Sequence, residues 1–210
     1  MKIMTKPFAA LLVAVLFLAV TLVGCGDSSD AADTLISQVQ MVQNGQLTDS
    51  SVWPDGFNAE QTKRMNQAML GENTYRVQST KSLSSTQEEV TVQASVRNLA
   101  TAYPKALRLY EQNLRAFASS EEGAVFLAQS SSAVINERTN EYLIAAIDEA
   151  CKSVPLYELT LTVLMEKGSQ GWGAQSDEAN LAKVFQLIYG CTSEELTAAL
   201  KELSVSMGLE

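Results

Sequence analysis

Acidic side chains are the residues in this sequence with the most obvious capacity for chemistry. They form five adjacent pairs, Glu88-Glu89, Glu121-Glu122, Asp148-Glu149, Asp177-Glu178 and Glu194-Glu195. General acid–base catalysis needs two carboxylates that converge on one substrate. Neighbouring residues instead point to opposite faces of a strand, and about 100° apart on a helix. Two of the pairs stand where a helix would begin, and there they would offset the helix dipole. The pairs therefore predict no catalytic centre.

Histidine is absent from the sequence. Its absence removes the commonest metal ligand and the usual general base of a nucleophilic serine or cysteine. The stretches DSSD (27–30) and DGFNAE (55–60) offer oxygen atoms but lack the alternating ligand spacing of a calcium loop. The stretch GSQGWG (168–173) lacks the lysine and the helical setting of a phosphate loop. We therefore predict no catalytic residue, no metal site and no cofactor.

Cys25 is the remaining residue with an obvious capacity for chemistry, and it closely follows the apolar run 8–23. Positive charge, an apolar run and small residues together are typical of an export signal. The tetrapeptide LVGC (22–25) resembles a bacterial lipobox, which implies that Cys25 is acylated and becomes the new N-terminus. Residues 1–24 would then be a lipoprotein signal peptide, and residues 25–31 the acylated cysteine and a flexible tether. The alternative is an uncleaved apolar helix, because the run lies near the lower length limit for a membrane span.

Charge and the remaining cysteines set further limits. The chain has 15 basic and 24 acidic residues, a net charge of −9. Loss of the two signal-peptide lysines leaves 13 bases against 24 acids, so −9 becomes −11. Phosphate backbones repel so acidic a protein, and no nucleic-acid partner is expected. Cys151 and Cys191 would remain as a candidate disulfide, which an oxidising compartment permits, or as two small buried apolar groups.

Hydrophobic periodicity divides residues 32–210 into helices and strands. Apolar residues at helical spacing predict helices at 32–43 and 57–70, a helical middle of the chain, and two helices at its end. SSEE (119–122) and TSEE (192–195) have the spacing of capping boxes. Period-two alternation predicts strands at 74–81, 88–98 and 155–167, with a return strand after the turn 168–171. This order predicts a single α+β domain, in which an antiparallel sheet of about four strands packs with helices and a helical insertion separates two hairpins.

Two segments carry a resemblance to known proteins. YELTLTVLMEKGSQGWGAQSDEANLAKVFQLIYG (157–190), with the hairpin YRVQSTK…EEVTVQASVRNL (75–99), resembles a group of bacterial lipoproteins. Their extracellular domains have a cystatin-like, nuclear-transport-factor-like cone fold. The resemblance implies a curved sheet wrapped around a helix, with a pocket in the cone. It implies no catalytic residues, because most members of the group have no assigned function.

These observations lead to a functional expectation. An apolar recess lined by Tyr75, Tyr157, Leu159 and Trp172 would bind a small apolar ligand by shape. Alternatively, these side chains fill the core and an envelope protein binds outside. We expect a non-catalytic binding domain, held by the lipid on Cys25 at the extracytoplasmic face of the cell membrane. The alternative is an envelope hydrolase that uses carboxylate and tyrosine groups, which would need two carboxylates about 5–10 Å apart in one pocket.

Overall fold

Four strands form one antiparallel sheet within residues 30–46 and 57–206, the parts of the chain that this computed structural model describes. The strands are β1 (Thr74–Ser82), β2 (Gln87–Arg97), β3 (Leu156–Gly168) and β4 (Gly171–Ala174), and their order in the sheet is their order in the sequence. β2 and β3 pair from Gln87 opposite Glu166 to Arg97 opposite Leu156. The two predicted hairpins therefore share a single sheet.

Seven helices accompany the sheet in the described residues. They are α1 (Ala31–Gln43), α2 (Ala59–Leu70), α3 (Leu99–Ala118), α4 (Glu121–Gln129), α5 (Ser132–Lys152), α6 (Glu178–Tyr189) and α7 (Ser193–Ser206). Helices α3 to α5 lie between β2 and β3 in the chain, which confirms the α+β class and the predicted helical insertion. α1 begins one residue earlier than predicted, because Asp30 caps it and Ala31 is already buried.

Alternation along β2 and β3 builds the core. Val90, Val92, Ala94 and Val96 are fully buried, as is Val163, which pairs with Val90. α1 contacts all four strands from this side, and α6 packs on β2, β3 and β4. Burying one such aliphatic side chain contributes about 1.5–3 kcal/mol. The alternating pattern therefore identified the face of the sheet that lies against the helices.

The buried side chain of Asn180 joins the start of α6 to β3. Its Oδ1 accepts a hydrogen bond of 2.8 Å from the Leu164 N–H. Its Nδ2 donates to the carbonyl oxygens of Leu164 at 2.9 Å and Gln175 at 3.0 Å. One amide thereby satisfies three backbone groups at the end of the sheet, where the ladder between β3 and β4 is short.

The two predicted capping boxes differ in outcome. Thr192 and Glu195 form a reciprocal pair, with N–H to side-chain distances of 2.8 and 3.1 Å, so this box is confirmed. The SSEE prediction is wrong, because the N-cap is Ser120 and the residue three positions later is Gly123, which has no side chain to reach back. Glycine is needed there, since a Cβ would lie 1.8 Å from the Phe117 carbonyl oxygen.

Cys151 and Cys191 are both free and buried in the structure, so the candidate disulfide is not formed. Each belongs to the apolar core, which is the alternative that the sequence left open. Burial raises the pKa of each thiol to about 11, although the Arg97 guanidinium acts in the opposite direction on Cys151. Arg97 is itself buried and donates to Glu72 at 2.6 Å and to the Val154 carbonyl at 3.0 Å.

The signal peptide, Cys25 and the tether lie almost wholly outside the described residues. Within the described residues, no helix has both the length and the apolar character that a bilayer crossing requires.

Candidate functional site

The face of the sheet opposite the helices carries a polar groove. Its volume is about 320 Å³ and it is open to solvent. Strands β1, β2 and β3 contribute its lining, which consists of Thr74, Tyr75, Arg76, Gln93, Ser95 and Glu158. Most of these side chains occupy strand positions that alternate with the core positions, because successive residues of a strand point to opposite faces.

Strand register arranges the groove in rows. Thr74 lies opposite Ser95, and Ser95 lies opposite Glu158. In the next row, Arg76 lies opposite Gln93. The Gln93 side-chain oxygen accepts a hydrogen bond from Gln78, which fixes the orientation of this amide in the floor of the groove. The groove therefore offers hydroxyl and amide groups between one cation and one anion.

Arg76 and Glu158 lie at diagonal corners of the groove. Two strand spacings and a two-residue offset separate their Cα atoms by about 12 Å. Neither side chain takes part in an ion pair within the described parts of the chain. Both residues are exposed, so each charge is available to a ligand.

Three of the four predicted pocket residues, Tyr75, Leu159 and Trp172, pack in or against the same core. Tyr75 alone lines the groove, and burial raises its pKa to about 12. Trp172 is 5% exposed and packs in the core, and Leu159 packs against the same core. Tyr157 is exposed at the edge, where its hydroxyl donates to the Gly190 carbonyl at 2.7 Å. The predicted apolar recess and the observed groove lie on opposite faces of the sheet.

Five of the groove residues were missed by the sequence reasoning: Thr74, Arg76, Gln93, Ser95 and Glu158. The signal that could have found them is the alternation itself, which marks them as the solvent face of three neighbouring strands. The register that brings β1 next to β2 and β2 next to β3 was the missing information.

A second surface stands out on the helical insertion. Helix α4 buries only Gly123. Val125 is 49% exposed, Leu127 42%, and Val134 at the start of α5 45%. Val125 and Leu127 are two positions apart, so they lie on opposite flanks of α4 rather than on one face. Soluble proteins expose single apolar residues routinely, but three on adjoining helices of one insertion are unusual and indicate an interaction site.

An aromatic cluster holds α4 in place. The Phe117 ring lies 5.6 Å from the Phe126 ring and 5.5 Å from the Tyr142 ring. The Arg138 guanidinium lies over Phe117 at 5.6 Å and over Tyr142 at 5.4 Å. These contacts join α3, α4 and α5, so that Phe126 faces inward while Val125 faces solvent. We call the distal part of the insertion, residues 108–143, the arm.

The described residues contain no group of three or more cysteine and acidic side chains placed to hold a metal ion. Among the groove lining residues, Glu158 is the single carboxylate.

Comparisons with known proteins give little further information. No protein-family model matches the sequence, and no curated protein matches it. One similar solved structure is a protein of Bacillus subtilis subsp. subtilis strain 168, named as a candidate lipoprotein (ycdA). The two are 13% identical with a TM-score of 0.41, over 86% of this chain and 56% of that chain. The chain thus spans little more than half the length of this neighbour, and the likeness is too slight to assign a family or a function.

Proposed function

We propose that the protein is a membrane-anchored extracytoplasmic lipoprotein whose α+β domain is a non-catalytic module for binding another envelope protein. The observation that carries the proposal is α4, an apolar helix that buries one glycine and exposes Val125 and Leu127. Burial of apolar surface is the main favourable term in protein association, so a partner that packs around both flanks of α4 gains free energy by covering these side chains.

The anchor is Cys25, the last residue of the lipobox-like tetrapeptide. Residues 26–30 separate it from the first helical residue, Ala31. Five fully extended residues span about 17 Å. An acylated Cys25 would therefore keep the start of α1 close to the bilayer surface. Stable anchoring requires two or more acyl chains, each contributing about 0.8 kcal/mol per buried CH₂.

The course of α1 indicates which end of the domain lies near the anchor. Gln43, its last residue, donates to the carbonyl oxygens of Leu70 and Asn73, just before β1. α1 also contacts β4, at the other edge of the sheet, so its N-terminal end lies towards β4 and the β3–β4 turn. The anchor is thus expected at the end of the sheet that carries this turn.

The arm leaves the sheet at the opposite end. β2 ends at Arg97, which pairs with Leu156 at the start of β3, and α3 to α5 connect these two positions. These three helices pack on other helices rather than along the strands. The buried residues of α3 and α5 lie in the halves next to the sheet. This arrangement supports presentation of the arm away from the membrane.

The charges around the arm indicate what kind of partner fits. Glu121 and Glu122 begin α4, and Glu137 follows Val134 by one turn of α5. Arg138, which follows Glu137, is engaged over the Phe117 and Tyr142 rings, so the acidic residues remain at the margin of the apolar centre. They complement a partner surface with an apolar centre and a basic rim. The hydrolase alternative finds less support, because the polar groove offers one carboxylate and glycoside hydrolysis needs a pair.

Site-specific photo-crosslinking in the intact envelope tests the arm. A photoreactive amino acid replaces Val125 or Leu127 in the full-length protein, and Lys201 on the exposed surface of α7 is the matched control. We expect one adduct from both arm positions, identified by mass spectrometry, and its loss in a Val125→Glu variant that carries the probe at Leu127. Absence of adducts from the arm, or the same adducts from Lys201, would contradict the proposal.

The anchor is tested separately. We expect Cys25→Ala to remain unprocessed and to incorporate no labelled fatty acid. Processing and lipid labelling equal to those of the wild type would refute acylation at this cysteine without affecting the result for the arm.

A further inference from the structure

We infer that the polar groove on the open face of the sheet is a binding site for a short zwitterionic peptide, with the peptide carboxylate at Arg76 and its amino group at Glu158. This site lies on β1, β2 and β3 and is separate from the arm. The inference therefore goes beyond the proposed function and does not depend on it.

The two charges set the polarity of the ligand. The planar guanidinium of Arg76 can hold a carboxylate with two parallel hydrogen bonds. The Glu158 carboxylate can accept hydrogen bonds from an ammonium group. Because neither residue has an ion-pair partner in the described chain, binding breaks no internal salt bridge. An uncharged apolar ligand would cover both charges without compensating them, at a large cost in desolvation.

The floor of the groove suits the peptide groups between the two termini. Thr74 and Ser95 supply hydroxyl groups that both donate and accept hydrogen bonds. Gln93 supplies an amide that Gln78 already orients. Peptide N–H and C=O groups need both kinds of partner when they leave water. Tyr75 borders the groove from the row of the core residue Ala94, and its hydroxyl accepts a hydrogen bond from the Asn73 side chain, so the floor consists of Thr74, Ser95 and Gln93.

Size restricts the ligand to two or three residues. The volume of about 320 Å³ is at the lower end of the range for small-molecule sites, ~300–1,000 Å³. The Cα atoms of Arg76 and Glu158 are about 12 Å apart, as judged from strand geometry. An extended peptide advances about 3.3–3.6 Å per residue. A tripeptide therefore places its termini within reach of both side chains, whereas the charges of a free amino acid lie too close together.

Titration of the full-length protein in detergent micelles tests the inference, with backbone amide NMR shifts as the readout. The probes are trialanine, which carries both terminal charges, and N-acetyl-trialanine amide, which carries neither. We expect trialanine to shift the amides of Thr74, Arg76 and Ser95 in a saturable manner, and the capped peptide to bind about tenfold or more weakly.

Substitutions then assign the two ends. Arg76→Gln and Glu158→Gln are expected to weaken trialanine binding about tenfold to a hundredfold. Lys81→Gln and Glu166→Gln alter charges on the same strands and the same face but outside the groove, so affinity is expected to remain unchanged. Three results would overturn the inference: no saturable shift at millimolar trialanine, equal affinity for the capped peptide, or equal losses in the control variants. None of them bears on crosslinking from the arm.

Discussion

Replacement of Asn180 tests whether one buried amide holds α6 to the end of β3. Its side chain accepts one hydrogen bond and donates two, all to backbone groups and all between 2.8 and 3.0 Å. Asn180→Ala removes the three bonds and leaves the backbone partners unsatisfied. Asn180→Asp has nearly the same shape, but it retains only the bond from the Leu164 N–H. Its second oxygen then faces the carbonyl oxygens of Leu164 and Gln175.

The expected magnitude follows from the net value of a hydrogen bond, about 1 kcal/mol. Asn180→Ala is expected to lower the free energy of unfolding by about 3 kcal/mol at neutral pH. Asn180→Asp loses two bonds and gains a buried carboxylate next to two carbonyl dipoles, so its cost is expected to equal or exceed that of alanine. Burial raises the pKa of such a carboxyl group above its usual value of about 3.9. The protonated form can again donate to one carbonyl, so stability is lost as pH rises through the pKa in the folded state.

Urea unfolding followed by circular dichroism measures these differences. The comparison is Asn180→Asp against Asn180→Ala at neutral and acidic pH, because both share the pH dependence of the remaining carboxylates. We expect Asn180→Asp to gain stability relative to Asn180→Ala as the pH falls. If Asn180→Asp unfolds within about 0.5 kcal/mol of the wild type at neutral pH, the amide does not make the two donor bonds and the reasoning is wrong.

Three further predictions concern the same end of the fold and its core. Gly190→Ala is expected to lower the free energy of unfolding in urea by about 2–3 kcal/mol, because φ is +62° and a Cβ would lie 2.3 Å from the Arg97 carbonyl oxygen. Gly168→Ala is the control and should change the stability little, because a Cβ there meets nothing within 4 Å. Glu72 and Arg97 form an ion pair in which the glutamate side chain is 60% exposed and the guanidinium is buried. Glu72→Gln should therefore lower the free energy of unfolding by less than about 1 kcal/mol, and Arg97→Met by about 2–3 kcal/mol. A larger loss for Glu72→Gln than for Arg97→Met would be inconsistent with the burial of the guanidinium. The thiols of Cys151 and Cys191 should react with a disulfide reagent only after unfolding, and rapid labelling of the folded protein would contradict this. Burial raises the pKa of each thiol from 9.0 to about 11, so the free energy of unfolding should fall as the pH rises from 9 towards 11.

Much of the fold follows from local patterns that the sequence displays directly. Val90, Val92, Ala94 and Val96 alternate without interruption, and the structure buries all four. The capping pair of Thr192 and Glu195 depends on a spacing of three residues, which is also visible in the sequence. Such features depend on interactions within one element or between adjacent strands, so neighbouring residues are sufficient to determine them.

Features that depend on distant contacts were harder to predict. The SSEE stretch has the spacing of a capping box, yet α4 starts one residue later. The reason is the close approach of Gly123 to the Phe117 carbonyl at the turn between two helices, where a Cβ would not fit. Cap choice here is set by the packing of α3 against α4, and a window of four residues does not contain that information.

The candidate groove likewise depends on contacts between residues that are far apart in the sequence. The apolar positions of β3 are the most conspicuous residues of the strand, and from the sequence they predict an apolar recess. In the folded chain Leu159, Val163 and Met165 pack in or against the core, whereas Tyr157 is exposed. Polar positions of the same strand remain at the surface, and Glu158 lines the candidate groove because Ser95 and Thr74 lie beside it. Strand register, which joins residues far apart in sequence, determines which polar side chains meet.

In the arm, an apolar stretch of sequence lies at the surface instead of in the core. EEGAVFLAQ (121–129) would ordinarily be expected to cover a core, because it has few charges and several apolar residues. In the structure, Phe126 is held by Phe117, and no other described element covers Val125 and Leu127. The sequence of an apolar segment does not show whether the surface that packs against it belongs to the same chain or to a partner. Since this helix lies at the end of two long helices, a partner could cover it without disturbing the sheet. Crosslinking from positions 125 and 127 therefore provides the most direct test of what completes this surface.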